Sequence, residues 1–190
     1  MPKINFEKAT LPYHETILGW LDANHVKEFW DNTPEHRQDI LLFMQGRNQP
    51  SPYADGIFTY WIGFIDQEPY CLVMTSEMID DAGLPSYYRE CISKTGKTFS
   101  IDFMIGNENY FGKGLAAPTL EAFMQFMRAE VDSSIDTFMI DPEEANSRAK
   151  HVYEKAGFKM ISEFISTRGS GKGIKHFLMM HHLLDNDDEK

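Results

Sequence analysis

The sequence predicts a mixed α/β domain in which an antiparallel front half runs into one strand–helix–strand unit. Three observations carry this. Two β-rich runs, residues 57–65 and 70–78, are separated only by Asp66-Gln67-Glu68-Pro69, a hairpin connection. Residues 100–105 are an apolar strand holding one carboxylate, Asp102, and lead through a glycine-bearing loop into a helix and then a strand at 135–140. A helix over 145–156, closed by Gly157, is followed by two more strands, 158–167 and 175–183.

The remaining elements follow from local chemistry. Residues 4–7 are a first strand. Residues 12–22 read as a helix, with Ile17, Leu18 and Leu21 at helical spacing. His25 to Trp30 continues into a turn or loop. Thr33 and Pro34 are a cap and a first helical residue, opening a helix that runs to about Gln45 and buries Ile40, Leu41, Phe43 and Met44. Residues 46–56 are a loop with two prolines. Residues 79–97 are polar and irregular, with a short helix expected near 86–92. The helix after the glycine loop carries Ala116, Leu120, Phe123 and Met127 on one face, and Pro118 requires it to start close to Gly114. The order is β-α-α-β-β-β-α-β-α-β-β.

The 190 residues suit one domain, residues 1–184, with an acidic tail at 185–190. No apolar run is long enough to span a membrane, and the first residues lack a signal-peptide core, so a cytoplasmic protein is expected. Cys71 and Cys91 do not make a disulfide framework. No Cys/His set has metal-ligand spacing, and the adjacent His181 and His182 point to opposite faces of a strand, so no metal is expected. A net charge of −11 argues against nucleic-acid binding, which needs clustered Lys and Arg.

The chemistry centres on residues 100–117. Gly106 to Tyr110 is turn sequence, and Gly112-Lys113-Gly114 opens a helix. Strand, glycine loop and helix start leave backbone N–H groups unpaired, which suits a phosphate, although such glycines can also only end a strand. The pattern is neither a Walker loop nor a dinucleotide fingerprint.

Three features then coincide in order: Asp102 before the loop, Gly112-Lys113-Gly114-Leu115 at the helix start, and Asp141-Pro142-Glu143-Glu144-Ala145-Asn146 leading into Tyr153-Glu154-Lys155-Ala156-Gly157-Phe158. Together they resemble the GCN5-related N-acetyltransferases (GNAT). The wording is most similar to the aminoglycoside 6'-N-acetyltransferase branch, with siderophore-type lysine acyltransferases as near relatives. The close match covers about 101–164. A looser one reaches back to HVKEFW, which resembles a Trp-bearing substrate loop. Asn109 and Ala116 stand where the family often has Arg or Gln and glycine.

The resemblance implies a sheet splayed between the fourth and fifth strands, with acetyl-CoA wedged there. The pantetheine arm would pair with the backbone of Met104 and Ile105, and Asn146 would hold pantetheine or nearby backbone. The pyrophosphate would sit on N–H groups of Phe111, Gly112, Lys113, Gly114, Leu115 and Ala116. A backbone N–H near Phe103 or Met104 would meet the acetyl oxygen. Asp102 would take the amine's proton, which requires burial to raise its pKa, and Tyr153 would protonate the thiolate. Asp141 and Trp30 would bind substrate, and Tyr60, Glu77, Asp80 and Asp81 are further cleft candidates. Each also has a plain structural reading: Asp102 as a strand-edge hydrogen-bonding group, Tyr153 and Trp30 as core aromatics, Asn146 as a helix cap, Asp141 as a turn residue before Pro. The loop before the fourth strand has Tyr87 and Tyr88 but no Trp, unlike the aminoglycoside branch.

The expectation is therefore an N-acetyltransferase that moves acetyl from acetyl-CoA directly to a primary amine of a small cationic acceptor, aminoglycoside- or polyamine-like, as a monomer or homodimer. The alternatives are acylation of a lysine-derived siderophore precursor or protein amine, and a non-catalytic CoA-binding module.

Overall fold

In the computed structural model, which describes residues 2–81, 83–167 and 171–183, seven strands make one sheet. They are β1 (Ile4–Lys8), β2 (Thr59–Ile65), β3 (Glu68–Met78), β4 (Lys97–Ile105), β5 (Ile135–Ile140), β6 (Lys159–Ile165) and β7 (Lys175–His182). Their spatial order is β1-β2-β3-β4-β5-β7-β6. Only β4 and β5 run parallel. A parallel pair needs a crossover, and the helix α4 (Ala116–Phe126), continued by a π turn at Met127–Val131, supplies it. The remaining helices are α1 (His14–Leu21), α2 (Asn24–Lys27), α3 (Pro34–Met44) and α5 (Ser147–Lys155). The tail expected at 185–190, and residues 168–170 between β6 and β7, lie outside the described residues. Among the described residues no helix is long and apolar enough to cross a membrane.

The expected fold is present, with shifted boundaries. The helix foreseen at 12–22 begins as a 3₁₀ turn, Leu11–Tyr13, with Pro12 in its first turn, where a missing N–H costs nothing. The loop foreseen at 25–30 contains the single turn α2. The short helix near 86–92 is a 3₁₀ segment, Ser86–Cys91. β4 starts at Lys97 because its pairing reaches Met78↔Thr98 with β3 and Lys97↔Ile135 with β5. The β2–β3 turn places both Asp66 and Gln67 at positive φ (50° and 69°), the twist that two-residue hairpins favour.

Among the described residues, two larger cores cover the two faces, and a smaller cluster of Cys91, Met139, Phe164 and Leu178 lies beside them. On the rear, Leu120 and Phe123 of α4 pack with Ile101, Phe138 and Tyr153. On the front, Ile17, Leu21 and Ile40 of α1 and α3 pack with Ile62, Leu72 and Met104. Each fully buried side chain of this size contributes about 1.5–3 kcal/mol. The buried face of α3 also holds polar groups the apolar pattern did not show, His36 and Asp39. A buried carboxylate needs partners. Asp39 accepts from the Tyr60 hydroxyl at 2.7 Å and lies 3.1 Å from Arg47 Nε.

Candidate active site

The site begins where β4 and β5 part. Their register ends at Ser100↔Met139, while β4 stays paired with β3 as far as Cys71↔Ile105. Two bonds fix which way each β4 backbone group points. Lys97 N–H donates to Ser134 O (2.8 Å) on the β5 side, and Gly106 N–H donates to Tyr70 O (2.9 Å) on the β3 side. Alternation along a strand then turns the peptide groups of Phe103 and Ile105 toward the gap. Met104, expected to offer its backbone there, faces β3 instead, and its side chain belongs to the front core. The Ile105 carbonyl accepts from His25 Nε2 at 2.9 Å.

The glycine loop closes one end of the gap. Gly112 and Gly114 have φ of 73° and 72°, and an added Cβ at either would meet nothing within 4 Å. In the chain itself these glycines therefore answer a left-handed backbone, not crowding. That same geometry delays α4 to Ala116. Leu115 stands at its cap position with no side-chain cap, and the first helical bond is Thr119 N–H to Leu115 O at 2.9 Å. The N–H groups of Ala116 and Ala117 precede that bond, and Pro118 has none to lose. An uncapped helix start beside two exposed glycines is an anion-binding geometry. Glu68 pins the preceding turn, accepting from Tyr110 Oη (2.6 Å) and Asn107 Nδ2 (3.1 Å). Phe111 lies between the His25 ring, at 4.7 Å, and the Arg148 guanidinium, at 5.4 Å.

Side chains from distant segments converge on the other end. A cleft of about 1740 Å³ is lined by Asp102, Asp141, Tyr153, Tyr88, Tyr53 and Trp30, among others. Met104 in the front core and Met139 under the Ser86–Cys91 segment show which faces their strands present. Alternation therefore puts Asp102 and Asp141 on the front face, either side of the gap. Tyr153 approaches from the rear core.

Burial, then the negative charge of Asp141, pushes Asp102 up to about 7. Burial pushes Asp141 up to about 6, against the Tyr88 hydroxyl, which donates to it at 2.9 Å. Burial also drives the Tyr153 phenol upward, and both carboxylates add to that. It thus stays a proton donor at neutral pH. His176 Nδ1 donates to the Asp141 carbonyl at 2.8 Å, leaving Nε2 buried without a partner among the described residues. Phe164 stacks on His176 at 5.4 Å, and Tyr87 on Phe164 at 4.1 Å.

Not every expected residue serves the cleft. Tyr60 is buried in the front core on Asp39, away from the cleft lining. Asp80 is paired with Arg89, whereas Glu77 and Asp81 do line the cleft. Asn146 caps α5, accepting from Ala149 N–H at 3.0 Å, and also lines the cleft. Trp30 stacks on His36 at 6.2 Å and lines the cleft. Sequence reading missed His25, Asp31, Tyr53, Arg148 and His176. Asp31 adjoins Trp30, whereas Tyr53 and His176 sit in segments with no motif.

A CoA thioester fits what is present: an unpaired strand edge for an amide-bearing arm, an anion cradle at its end, and a carboxylate pair beyond. These features define a class, transferases that take an acyl group from such a donor. The acetyltransferase (GNAT) domain model matches residues 14–165, and the chain belongs to that family. It is an acyltransferase. An aminoglycoside N(6')-acetyltransferase type 1 of Klebsiella pneumoniae is 27% identical over 143 residues, 75% of this chain and 67% of that protein. Among solved structures, an aminoglycoside N(6')acetyltransferase from Legionella pneumophila has a TM-score of 0.74 at 25% identity, covering 100% of this chain and 98% of its own. The aminoglycoside acetyltransferase AAC(6')-Ib, in complex with coenzyme A and kanamycin, has 0.69 at 22% identity over 95% of each chain, a likeness of fold.

Proposed function

We propose that this enzyme transfers acetyl from acetyl-CoA to a primary amine of a small cationic acceptor, aminoglycoside- or polyamine-like, in one direct step. The observation that carries the reading is the convergence of Asp102 and Asp141 at the mouth of the β4–β5 gap. Asp141 and Asp102 attract an ammonium group. Asp102, with a pKa near the working pH, takes its proton and leaves a neutral nitrogen. As the N–C bond forms and the C–S bond breaks, Tyr153 supplies the proton for sulfur; the second proton that the acylated nitrogen sheds restores the Tyr153 phenol, and Asp102 gives up its proton to solvent. The Phe103 N–H, turned toward the gap, meets the acetyl oxygen. The uncapped start of α4 and the Gly112–Gly114 backbone hold the pyrophosphate, and the Ile105 N–H pairs with the pantetheine arm. Direct transfer is favoured because Cys71 and Cys91 are both buried, with thiols pushed up to about 12 and about 11.

Thiol release from acetyl-CoA, followed across aminoglycosides, polyamines, simple monoamines and lysyl peptides, tests the reading. Turnover should be highest with the first two groups. No release with any amine would overturn it, and a preference for peptides would move the acceptor to protein amines.

A further inference from the structure

Arg148 is placed where a helix disfavours a cation. It is the second residue of α5, after the Asn146 cap and Ser147, at the positive end of the helix dipole. The chain has 29 acidic residues against 18 Lys and Arg. Yet among the described residues neither Arg148 nor Lys113 lies within ion-pair distance of a carboxylate, although nine other Lys and Arg pairings of this kind are formed. The guanidinium instead lies over the Phe111 ring, 5.4 Å from its centre. Phe111 is held from elsewhere by His25, whose Nε2 is anchored on the Ile105 carbonyl. A guanidinium held over a ring and not paired with a carboxylate has N–H groups left for an acceptor, and its fork suits phosphate. Phe111 immediately precedes the exposed glycines of the anion cradle, so this second cationic point lies just outside the first.

A CoA thioester carries two separate phosphate groups, the pyrophosphate and the 3'-phosphate on the adenosine ribose. Resting on the donor site described above, we propose that Arg148 is the docking point for the 3'-phosphate, and that Phe111 fixes its orientation. The cradle of backbone N–H groups serves the pyrophosphate alone. Arg148 is thereby a specificity residue that separates CoA from its 3'-dephospho form.

Equilibrium binding without an acceptor amine tests this, read by calorimetry with CoA and with 3'-dephospho-CoA. The native enzyme should bind CoA about tenfold or more tightly than the dephospho form, as for a charge-assisted hydrogen bond. Arg148→Gln should bind both equally, at the native enzyme's dephospho level, and Arg148→Lys should keep part of the difference. Arg148 is exposed, so the replacements leave the fold intact, which thermal unfolding checks. If Arg148→Gln weakens both ligands alike, the residue serves the pyrophosphate and the proposal is overturned. An unchanged ratio with unchanged affinities overturns it too. Absence of binding by either ligand to the native enzyme would sink the donor site itself, a result distinct from both.

Discussion

The two ends of the cleft are built from different materials. The donor end is mostly backbone: an unpaired edge of β4, two left-handed glycines and the first turn of α4, all within residues 103–117. The end proposed for the acceptor is mostly side chains, drawn from segments after α2: Asp31, Tyr53, Tyr88, Asp102, Asp141 and His176. A backbone site can be written in one short stretch because its donors come from consecutive peptides. A side-chain site needs only one residue from each segment, so the rest of every segment is free to serve packing. The two ends should therefore fail separately, donor variants in affinity for CoA and acceptor variants in the handling of the amine.

The largest effect is expected on the acceptor side. Asp102→Asn should lower kcat/KM for the amine by about 10²–10⁴-fold, the usual worth of a positioned base, with CoA affinity unchanged in direct binding. Tyr153→Phe should cost less, because water can protonate a thiolate. Asp102→Asn carries a second, opposite sign. A carboxyl whose pKa is raised by folding favours the native state when protonated, and that contribution disappears as pH rises through the folded value, here about 7. Above this pH the native enzyme holds a buried charge that the amide does not. The variant should therefore melt at a higher temperature than the native protein at about pH 8, and its advantage should shrink toward about pH 4, near the unfolded carboxyl's pKa. Loss of activity without this gain would mean that Asp102 is not a desolvated carboxylate.

The donor side breaks differently. Gly114→Ala places a Cβ on a backbone at φ 72°, which costs about 1–2 kcal/mol. It should lower the melting temperature modestly and weaken CoA binding several-fold, through displaced N–H groups. KM for the amine should stay where it was. A change in amine KM equal to the change in CoA affinity would show that the two ends are not independent.

The same contrast explains what could be read in advance. The fold was legible because hairpin, glycine cap and strand–loop–helix signals are local. That Asp102, Tyr153 and the glycine loop share one cleft follows from segments within residues 101–164, while their roles belong to the proposal. The Met104 backbone was misassigned because strand parity depends on hydrogen bonds to Ser134 and Tyr70, which no residue pattern shows. Tyr60 was misassigned because its hydroxyl answers Asp39, a buried carboxylate 21 residues away. His176 was invisible. Its place depends on the pairing of residues 142–144 with β7, which brings it to the Asp141 carbonyl.

The smallest predicted effect bears on how the acceptor end is held together. Tyr88 Oη donates to Asp141 Oδ2 at 2.9 Å, from a segment 53 residues away. That bond holds the Asp141 carboxyl down against the rise that burial imposes. Tyr88→Phe removes it while keeping the ring that packs edge-on against Phe164. The Asp141 pKa should then climb above about 6, and a larger fraction of the enzyme would carry it neutral near pH 7. A neutral Asp141 attracts an ammonium group less, so the amine's KM should rise by about three- to tenfold, the worth of one hydrogen bond to a charged group. The loss should be greatest below pH 7 and should fade above pH 8, where Asp141 is ionised in both proteins. CoA affinity should not move at any pH. A loss that is the same at every pH would mean that Tyr88 only packs, and that Asp141 is held by the His176 contact to its backbone alone.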